Sequence, residues 1–522
     1  MRMTNKIMQN NSLYNINNNK ILQDKLSTQM STQKKLTRPS DDPVIAIRAL
    51  RLRTSVSELS QYYEKNAPDA ESWLSVTEKA LGTVTSVLTD MIKQATKGAN
   101  KDLGVEDLNI IAEQMKSLRD EYYCTGNVDY AGRYVFTGYR TDTTLSFTEE
   151  VEAQNPQPKY SITEQVKIGE FDSINYTERG VLDGINKNNY GEAKYDTVIE
   201  QDIKNGDIHR LRLSYDTISD ATDPTVKYKK ADGTEVTLQG IQTVSTTADP
   251  DPYSQMLAAN EANTELTIFV PETGELLFSD AAYNKIEKDV TTETEFQVTY
   301  EKTSWKDGDL RPEHYFACTA TTKNDDGTDK VVNYNQEYLN GEEESQIIEY
   351  DVGYNQKIRV NTTAREAFTH GIDRDIDDLE TALASLTEIG ATVEDLKAVL
   401  AGLEEGTPEY KKVQKQLDAA NKAYDYEREK VHSMFEDTIS SMQSYLDDTN
   451  VVVTDNGTRS SRLELVSNRL MDQKTTFQTL QSENEDVDIA EVVVQLTSTE
   501  LTYESALMAT GKIMQTSLMN YI

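Results

Sequence analysis

Side chains that could carry out catalysis are few in this sequence and lie far apart. None of the four histidines falls in an HExxH metal pair or beside a glycine-serine nucleophile elbow, so each is interpreted as a core or solvent-exposed residue. The four are His209, His314, His370 and His432. Gly511 and Lys512 resemble the end of a phosphate-binding loop, but Ala506 stands where that loop needs its first glycine. No catalytic residue is predicted.

An aspartate-rich segment has the spacing of calcium-loop ligands. Asp373, Asp375 and Asp377 alternate as such ligands do, but Asp378 replaces the turn glycine and Ala384 replaces the bidentate acid. Carboxylates in the first turn of a helix are stabilised by the helix dipole. An acidic helix N-terminus is therefore the favoured interpretation.

The two cysteines, Cys124 and Cys318, lie about 190 positions apart, which excludes a disulfide framework and any zinc site built on paired cysteines. Neither a metal site nor a bound cofactor is predicted. The fold is expected to depend on packing alone.

The chain is strongly acidic. Its 522 residues hold 53 Lys and Arg against 89 Asp and Glu, a formal net charge of −36. A field of that sign repels phosphates and anionic lipid headgroups, so nucleic acid and membrane surfaces are poor candidate partners. The N-terminus lacks the apolar core of a signal peptide. We expect a cytoplasmic protein, or one that leaves the cell by a route without that signal.

Hydrophobic periodicity predicts long helices in the first 150 residues. Between 51 and 95, a heptad seam runs along one face: Ala70, Leu74, Thr77, Leu81, Val84, Leu88, Met91 and Ala95. Pro68 should kink or restart this helix because it lacks a backbone donor. A second helix is expected from Val105 to near Gly126, followed by a short hairpin in YAGRYVFTGYR.

The middle of the chain, 151–355, loses the helical period and gains strand patterns. Two strand pairs are predicted, one around Asp232-Gly233 and one around the segment 271–274. Helices return at 373–403, 408–447 and 459–482, and a closing helix spans about 487–521. The predicted fold class is mainly α with a β insertion, in which long N- and C-terminal helices pair into a rod.

The two ends have opposite charge, since 1–40 carries seven basic residues and one acid while 485–522 carries six acids and one Lys. We therefore predict three parts. Segments 1–42 and 485–522 form a pair of terminal helices, 43–150 and 356–484 form a helical rod, and 151–355 forms an acidic β-rich insertion exposed at the surface.

A proline-bracketed segment carries a family resemblance. Arg38, Pro39, Ser40, Asp41, Asp42 and Pro43 precede VIAIRALRLRTSV, and Ser40, Asp41 or Asp42 can cap the helix that follows. Together with MRMTNKIM at the start, SWLSVTEKAL at 72–81, YVFTGYRTDT at 134–143, GTRSSRLELV at 457–466 and the segment 486–522, this closely resembles the flagellin-like family. Within that family, it resembles the hook-associated proteins of the hook-filament junction.

The resemblance implies a structural subunit of the bacterial flagellum that joins hook to filament as an axial ring. Its implied partners are identical subunits, an adjoining hook-associated protein, flagellin and an export chaperone. The implied location is extracellular, on the flagellum, after export without a cleaved signal. The proline-bracketed segment becomes the joint between the innermost helix and the next layer.

The apolar stripe of the closing helix is predicted to be the assembly interface, buried against the N-terminal helix and neighbouring subunits. Its residues are Ile489, Val493, Leu496, Tyr503, Leu507 and Met514. Three alternatives stay open: flagellin itself, a secreted adhesin whose insertion binds host or carbohydrate, and an enzyme carried by the insertion. The last lacks any nucleophile-base or metal-ligand pattern.

Overall fold

The computed structural model describes residues 5–291, 294–324, 328–340 and 346–519, with side chains given from 6 to 512 within those ranges. The chain divides into two compact units. The terminal unit combines Met1–Glu71, Tyr350–Ile358 and Ser460–Ile522, and the central unit combines Ser72–Glu349 and Arg359–Arg459. The predicted three-part division stays a prediction.

The helices, in chain order, are α1 (Asn5–Thr32), α2 (Pro43–Gln61), α3 (Ala67–Gly98), α4 (Val105–Thr125), α5 (Pro252–Ala262), α6 (Asp280–Asp289), α7 (Ala364–Ala367), α8 (Gly371–Ala401), α9 (Pro408–Glu485) and α10 (Ile489–Met519). The strands are β1 (Asp129–Tyr130), β2 (Arg133–Tyr134), β3 (Lys159–Lys167), β4 (Asp172–Glu178), β5 (Lys204–Arg212), β6 (Thr225–Lys229), β7 (Glu235–Thr237), β8 (Ile241–Thr243), β9 (Thr267–Val270), β10 (Glu275–Phe278), β11 (Glu295–Lys302), β12 (Ala317–Lys323), β13 (Asp329–Tyr334), β14 (Glu349–Gly353) and β15 (Gln356–Arg359). The predicted class, mainly α with a β insertion, is confirmed.

The heptad seam of α3 is confirmed. Each of its eight predicted members, from Ala70 to Ala95, is 0% exposed. The polar member, Thr77, is satisfied because its hydroxyl donates to the carbonyl of Trp73 at 3.0 Å.

Pro68 restarts the helix as predicted. A π-helical turn over Tyr62–Asn66 separates α2 from α3, and the N–H of Ala67 donates to the carbonyl of Tyr62, five residues back. The wider turn makes room for the proline ring, which would collide with the preceding turn of a regular α-helix.

One predicted boundary is wrong: the helices expected at 408–447 and 459–482 are a single 78-residue helix, α9. Asn456 lies in the middle of it, buried, and its Nδ2 donates to the carbonyl of Leu74 at 3.1 Å. A glycine such as Gly457 costs a helix only about 1 kcal/mol relative to alanine. Tertiary contacts of this kind override that cost.

Two sheets build the insertion within the central unit. One has the order β4-β5-β10-β9-β8 and the other the order β13-β12-β3-β11-β6-β7. Buried side chains of both sheets form one core, which includes Ile162, Leu211, Phe269, Phe278 and Phe296. A smaller cluster joins α5 to the five-stranded sheet through Met256 and Leu257.

The predicted hairpins are confirmed. β1 pairs with β2, β6 pairs with β7, and β9 pairs with β10. The β9-β10 turn requires its glycine, because Gly274 has φ +63° and a Cβ there would lie 2.0 Å from the carbonyl oxygen of Tyr215.

Candidate assembly interface

The two ends of the chain form an antiparallel pair of helices in the terminal unit. The segment after α1 meets the segment before α10, where the N–H of Lys35 donates to the carbonyl of Glu485 at 2.7 Å. The N–H of Val487 donates to the carbonyl of Gln33 at 3.1 Å. From this crossing, α10 returns along α1, and Gln23 donates to Glu500 at 3.4 Å.

The seam between α1 and α10 has heptad spacing, but half of its residues are polar, most of them on α1. The α10 side chains that are buried or half-buried along it are Val492, Leu496, Thr499, Tyr503, Ala506 and Thr510. Those of α1 are Gln9, Ser12, Ile16, Asn19, Gln23 and Leu26. Such a seam has much less apolar area to bury than an ordinary coiled coil, whose a and d positions are apolar.

The predicted packing of α10 against α1 needs a correction. Leu496 and Tyr503 lie on the seam, but Ile489, Val493 and Leu507 are exposed at 46%, 42% and 44%. The side chain of Met514 lies outside the described residues. Val492 and Ala506, each one position before a predicted residue, lie on the seam together with Leu496 and Tyr503. Whether the predicted stripe contacts neighbouring subunits stays a prediction.

Both helices carry an apolar stripe on their outer faces. In α10, Val494, Leu501 and Met508 recur every seven residues and are 69%, 67% and 65% exposed. Each follows a seam residue by two positions, which turns it by about 200° around the helix, away from α1.

The stripe on α1 mirrors this arrangement. Ile7, Tyr14 and Ile21 recur every seven residues and are 48%, 68% and 61% exposed. Each precedes a seam residue by two positions, which again places it opposite the seam. The pair therefore exposes apolar side chains at intervals of seven residues on both of its outer faces.

The proline-bracketed segment forms the joint between α1 and α2. Of the three capping candidates, Asp42 is the cap: its Oδ1 accepts from the N–H groups of Val44 and Ile45 at 3.0 and 3.1 Å. Pro43 is the first helical residue, where its missing N–H costs nothing. The preceding residues Arg38, Pro39, Ser40 and Asp41 are exposed, and the N–H of Asp41 donates to the carbonyl of Arg38 at 3.0 Å.

Ion pairs connect the residues on either side of the joint to the end of α9 and the residue after it. Arg53 donates to both carboxylate oxygens of Glu485 at 2.7 and 2.6 Å, and Lys34 pairs with Asp486. The hydrogen bond from Arg53 lowers the pKa of Glu485, and that from Lys34 lowers the pKa of Asp486. Sequence spacing cannot predict ion pairs between residues more than 400 positions apart. The opposite net charges of the two chain ends were the sequence feature that pointed to them.

The residues considered for chemistry have structural roles. Asp375 and Asp378 lie in α8 and bind Arg212 at 2.5 and 2.8 Å. His370 is enclosed by aromatic rings, including those of Tyr215 and Tyr315, and burial lowers its pKa to about 3.

Within the ranges that the structure describes, no cluster of His, Cys, Asp and Glu could hold a metal ion. No described helix has the length and apolar character of a membrane span.

The N-terminal elements resemble those of a known family. Residues 3–141, which include α1 to α4, the joint and the β1-β2 hairpin, match the bacterial flagellin N-terminal helical region. The predicted resemblance to the flagellin-like family is confirmed.

The particular resemblance is to flagellar hook-associated protein 3. The protein of that name from Escherichia coli (strain K12) is 30% identical over 198 residues, which cover 37% of this chain and 60% of the relative. That from Salmonella typhimurium is 29% identical over 189 residues, which cover 36% and 59%. The match therefore spans less than two thirds of either relative. A crystal structure of the flagellar junction protein from Legionella pneumophila is 10% identical, with a TM-score of 0.30 over 84% of this chain and 100% of the other.

Proposed function

We propose that this chain is a non-enzymatic structural subunit of the bacterial flagellum that joins hook to filament. The family match over 3–141 and the shared name of the two curated relatives support a flagellar role. Because both relatives are hook-associated proteins, they favour the junction over the filament. A filament subunit, flagellin, is the second candidate.

The observation that carries the proposal is the apolar outside of the α1-α10 pair. Exposed apolar side chains that recur along one face of a helix indicate an interaction site. Burying one valine, leucine or methionine side chain is worth roughly 1.5–3 kcal/mol, and a ring repeats that gain in every subunit. Identical subunits that cover each other's stripes would add this stabilisation to that of the half-polar seam.

The proposed interface combines the outer stripes with the exposed part of the predicted one. Val493 and Leu507 each follow a seam residue by one position and so lie on the flank of the seam, while Ile489 is exposed at the start of α10; a neighbouring subunit can cover all three. Leu496 and Tyr503 act from the seam by holding α10 in register. The proposed partners are other copies of the chain, an adjoining hook-associated protein and flagellin.

Exposed stripes also explain two further expectations of the proposal. Before assembly, an export chaperone would cover the terminal helices and prevent premature association. Export would then follow the flagellar route without a cleaved signal and would place the protein outside the cell, at the hook-filament junction.

Val494→Asp tests the interface against a matched control, Thr502→Asp. Val494 belongs to the outer stripe, whereas Thr502 is exposed on the polar flank of the same helix. We expect Val494→Asp to be secreted and folded but absent from the junction, so that filament protein is shed into the medium. Thr502→Asp should support motility.

Two outcomes would contradict the proposed interface. Normal junctions with Val494→Asp would show that the outer stripe is not an interface. Loss of motility with both variants would show that any added charge on α10 is harmful, whatever face carries it. Circular dichroism of each purified variant separates these results from a folding defect.

A further inference from the structure

A polar groove in the central unit has no role in the proposed junction. It is a cavity of about 580 Å³, walled by β4 and β5 on one side and by α8 and α9 on the other. That volume lies within the range of small-molecule sites. The α9 wall presents one helix face, with Tyr426, Lys430, Ser433, Asp437 and Ser441 at spacings of three and four.

The floor of the groove is a closed network of charges. Arg210 donates to Asp172 at 2.8 and 2.9 Å, to Glu275 at 2.5 Å and to Asp378 at 2.6 Å. Arg212 donates to Asp378 at 2.8 Å. Burial alone would raise the pKa of Asp378, but these two arginines hold it at about 2. The network is rigid and its cations are already neutralised, so they do not require an anionic ligand.

Other polar groups in the groove have unused hydrogen-bonding capacity. Among the described residues, none makes a hydrogen bond or ion pair with the side chains of Ser173, Asn205, Lys430, Ser433, Asp437 or Ser441. These side chains offer hydroxyl and amide groups, one carboxylate acceptor and one ammonium donor. Burial lowers the pKa of Lys430, although the carboxylates of Glu427 and Asp378 act in the opposite direction.

The charge of the lining selects among ligand classes. Seven carboxylate side chains and three cationic ones line the cavity, so phosphates and other anions are repelled. The α9 wall itself has mixed charge, with Lys430 beside Glu429 and Asp437, so it does not select an ion of one sign. An uncharged ligand that donates and accepts hydrogen bonds at many positions fits this lining, which also includes the side chain of Tyr426.

We propose that this groove binds a neutral oligosaccharide. Sugar hydroxyls would donate to Asp437 and accept from Lys430, while Ser433 and Ser441 contact the chain of rings along α9. The proposal does not depend on the junction role, because the groove lies wholly in the central unit and outside the helices that carry the outer stripes.

The test applies the full chain to a printed array of neutral hexose and N-acetylhexosamine oligosaccharides, followed by calorimetric titration with the oligosaccharide that is retained best. Asp437→Asn should weaken binding about tenfold, the usual effect of losing one charge-assisted hydrogen bond. Ser433→Phe should abolish binding by filling the groove. Both positions are exposed, so the fold should survive either change.

Asp448→Asn is the matched control, since Asp448 is an exposed aspartate of α9 outside the groove, and it should bind as the unmodified protein does. Retention of no oligosaccharide would overturn the proposal. So would binding that Ser433→Phe leaves unchanged, or tighter binding of spermidine or inorganic phosphate to the same groove. Normal flagellar assembly of the groove variants would show that such a failure leaves the junction role intact.

Discussion

Glu164 is a buried carboxyl whose neutralisation should stabilise the central unit. It lies on β3 in the core between the two sheets and is 3% exposed. Tyr300 donates to its Oε1, and the N–H and hydroxyl of Ser214 donate to its two oxygens at 3.1–3.3 Å. Burial outweighs these hydrogen bonds and raises the pKa of Glu164 from 4.5 to about 7.

The size of the effect follows from that pKa. Between pH 4.5 and about 7, the carboxyl is ionised in the unfolded chain but still protonated in the fold, so the folded state loses relative stability as the pH rises. The full cost, reached above pH 7, is roughly 3 kcal/mol. Glu164→Gln removes it, because the amide oxygen can accept from Tyr300 and the amide nitrogen can donate to the hydroxyl of Ser214.

Urea unfolding followed by tryptophan fluorescence measures this effect in the correct unit, since Trp73 and Trp305 both belong to the central unit. We expect Glu164→Gln to raise the free energy of unfolding at pH 8 by roughly 3 kcal/mol and to change it little near pH 4.5. Glu235→Gln, at an exposed position of β7, should change neither value. A loss of stability at pH 8, or an equal gain at both pH values, would refute the reasoning.

Three further predictions concern the terminal unit. Leu496→Asp should cost α1-α10 pairing at least part of the roughly 1.5–3 kcal/mol of a fully buried leucine, because Leu496 is half-buried, and should speed proteolysis of α10, whereas Thr502→Asp should not. Glu485→Gln should cost about 0–1 kcal/mol at pH 7, because its partner Arg53 is half exposed, and nothing once the pH falls well below 4.5. Hydrogen exchange around residue 485, measured at pH 7 and well below pH 4.5, tests whether the cost of this substitution disappears at low pH. Asp42→Ala should cost about 1 kcal/mol and reduce amide protection in the first turn of α2.

The sequence predicted the α3 seam because every member follows one heptad and is buried. It failed at α9, where the local signal of Asn456-Gly457 favours a break. The buried hydrogen bond from Asn456 to Leu74 joins residues 382 positions apart, and no local pattern contains it. Long-range contacts of this kind decide between a turn and a continuous helix.

The assembly site shows a different limit. Periodicity identified α10 as an amphipathic helix, but Val492 and Val493 are both apolar, and the pattern alone cannot choose between them. The choice depends on α1, whose seam is too polar to define a hydrophobic partner face. The sequence analysis also missed the charged floor of the groove. It identified the aspartates of α8, but their partners Arg210 and Arg212 lie about 165 positions away in a segment with a strand pattern.

Electron cryotomography of flagellated cells, with immunogold label against the central unit, tests the junction role most directly. The account predicts label confined to the boundary between hook and filament, and detached filaments when the gene is deleted. Label distributed along the whole filament would contradict it and identify the chain as a filament subunit instead.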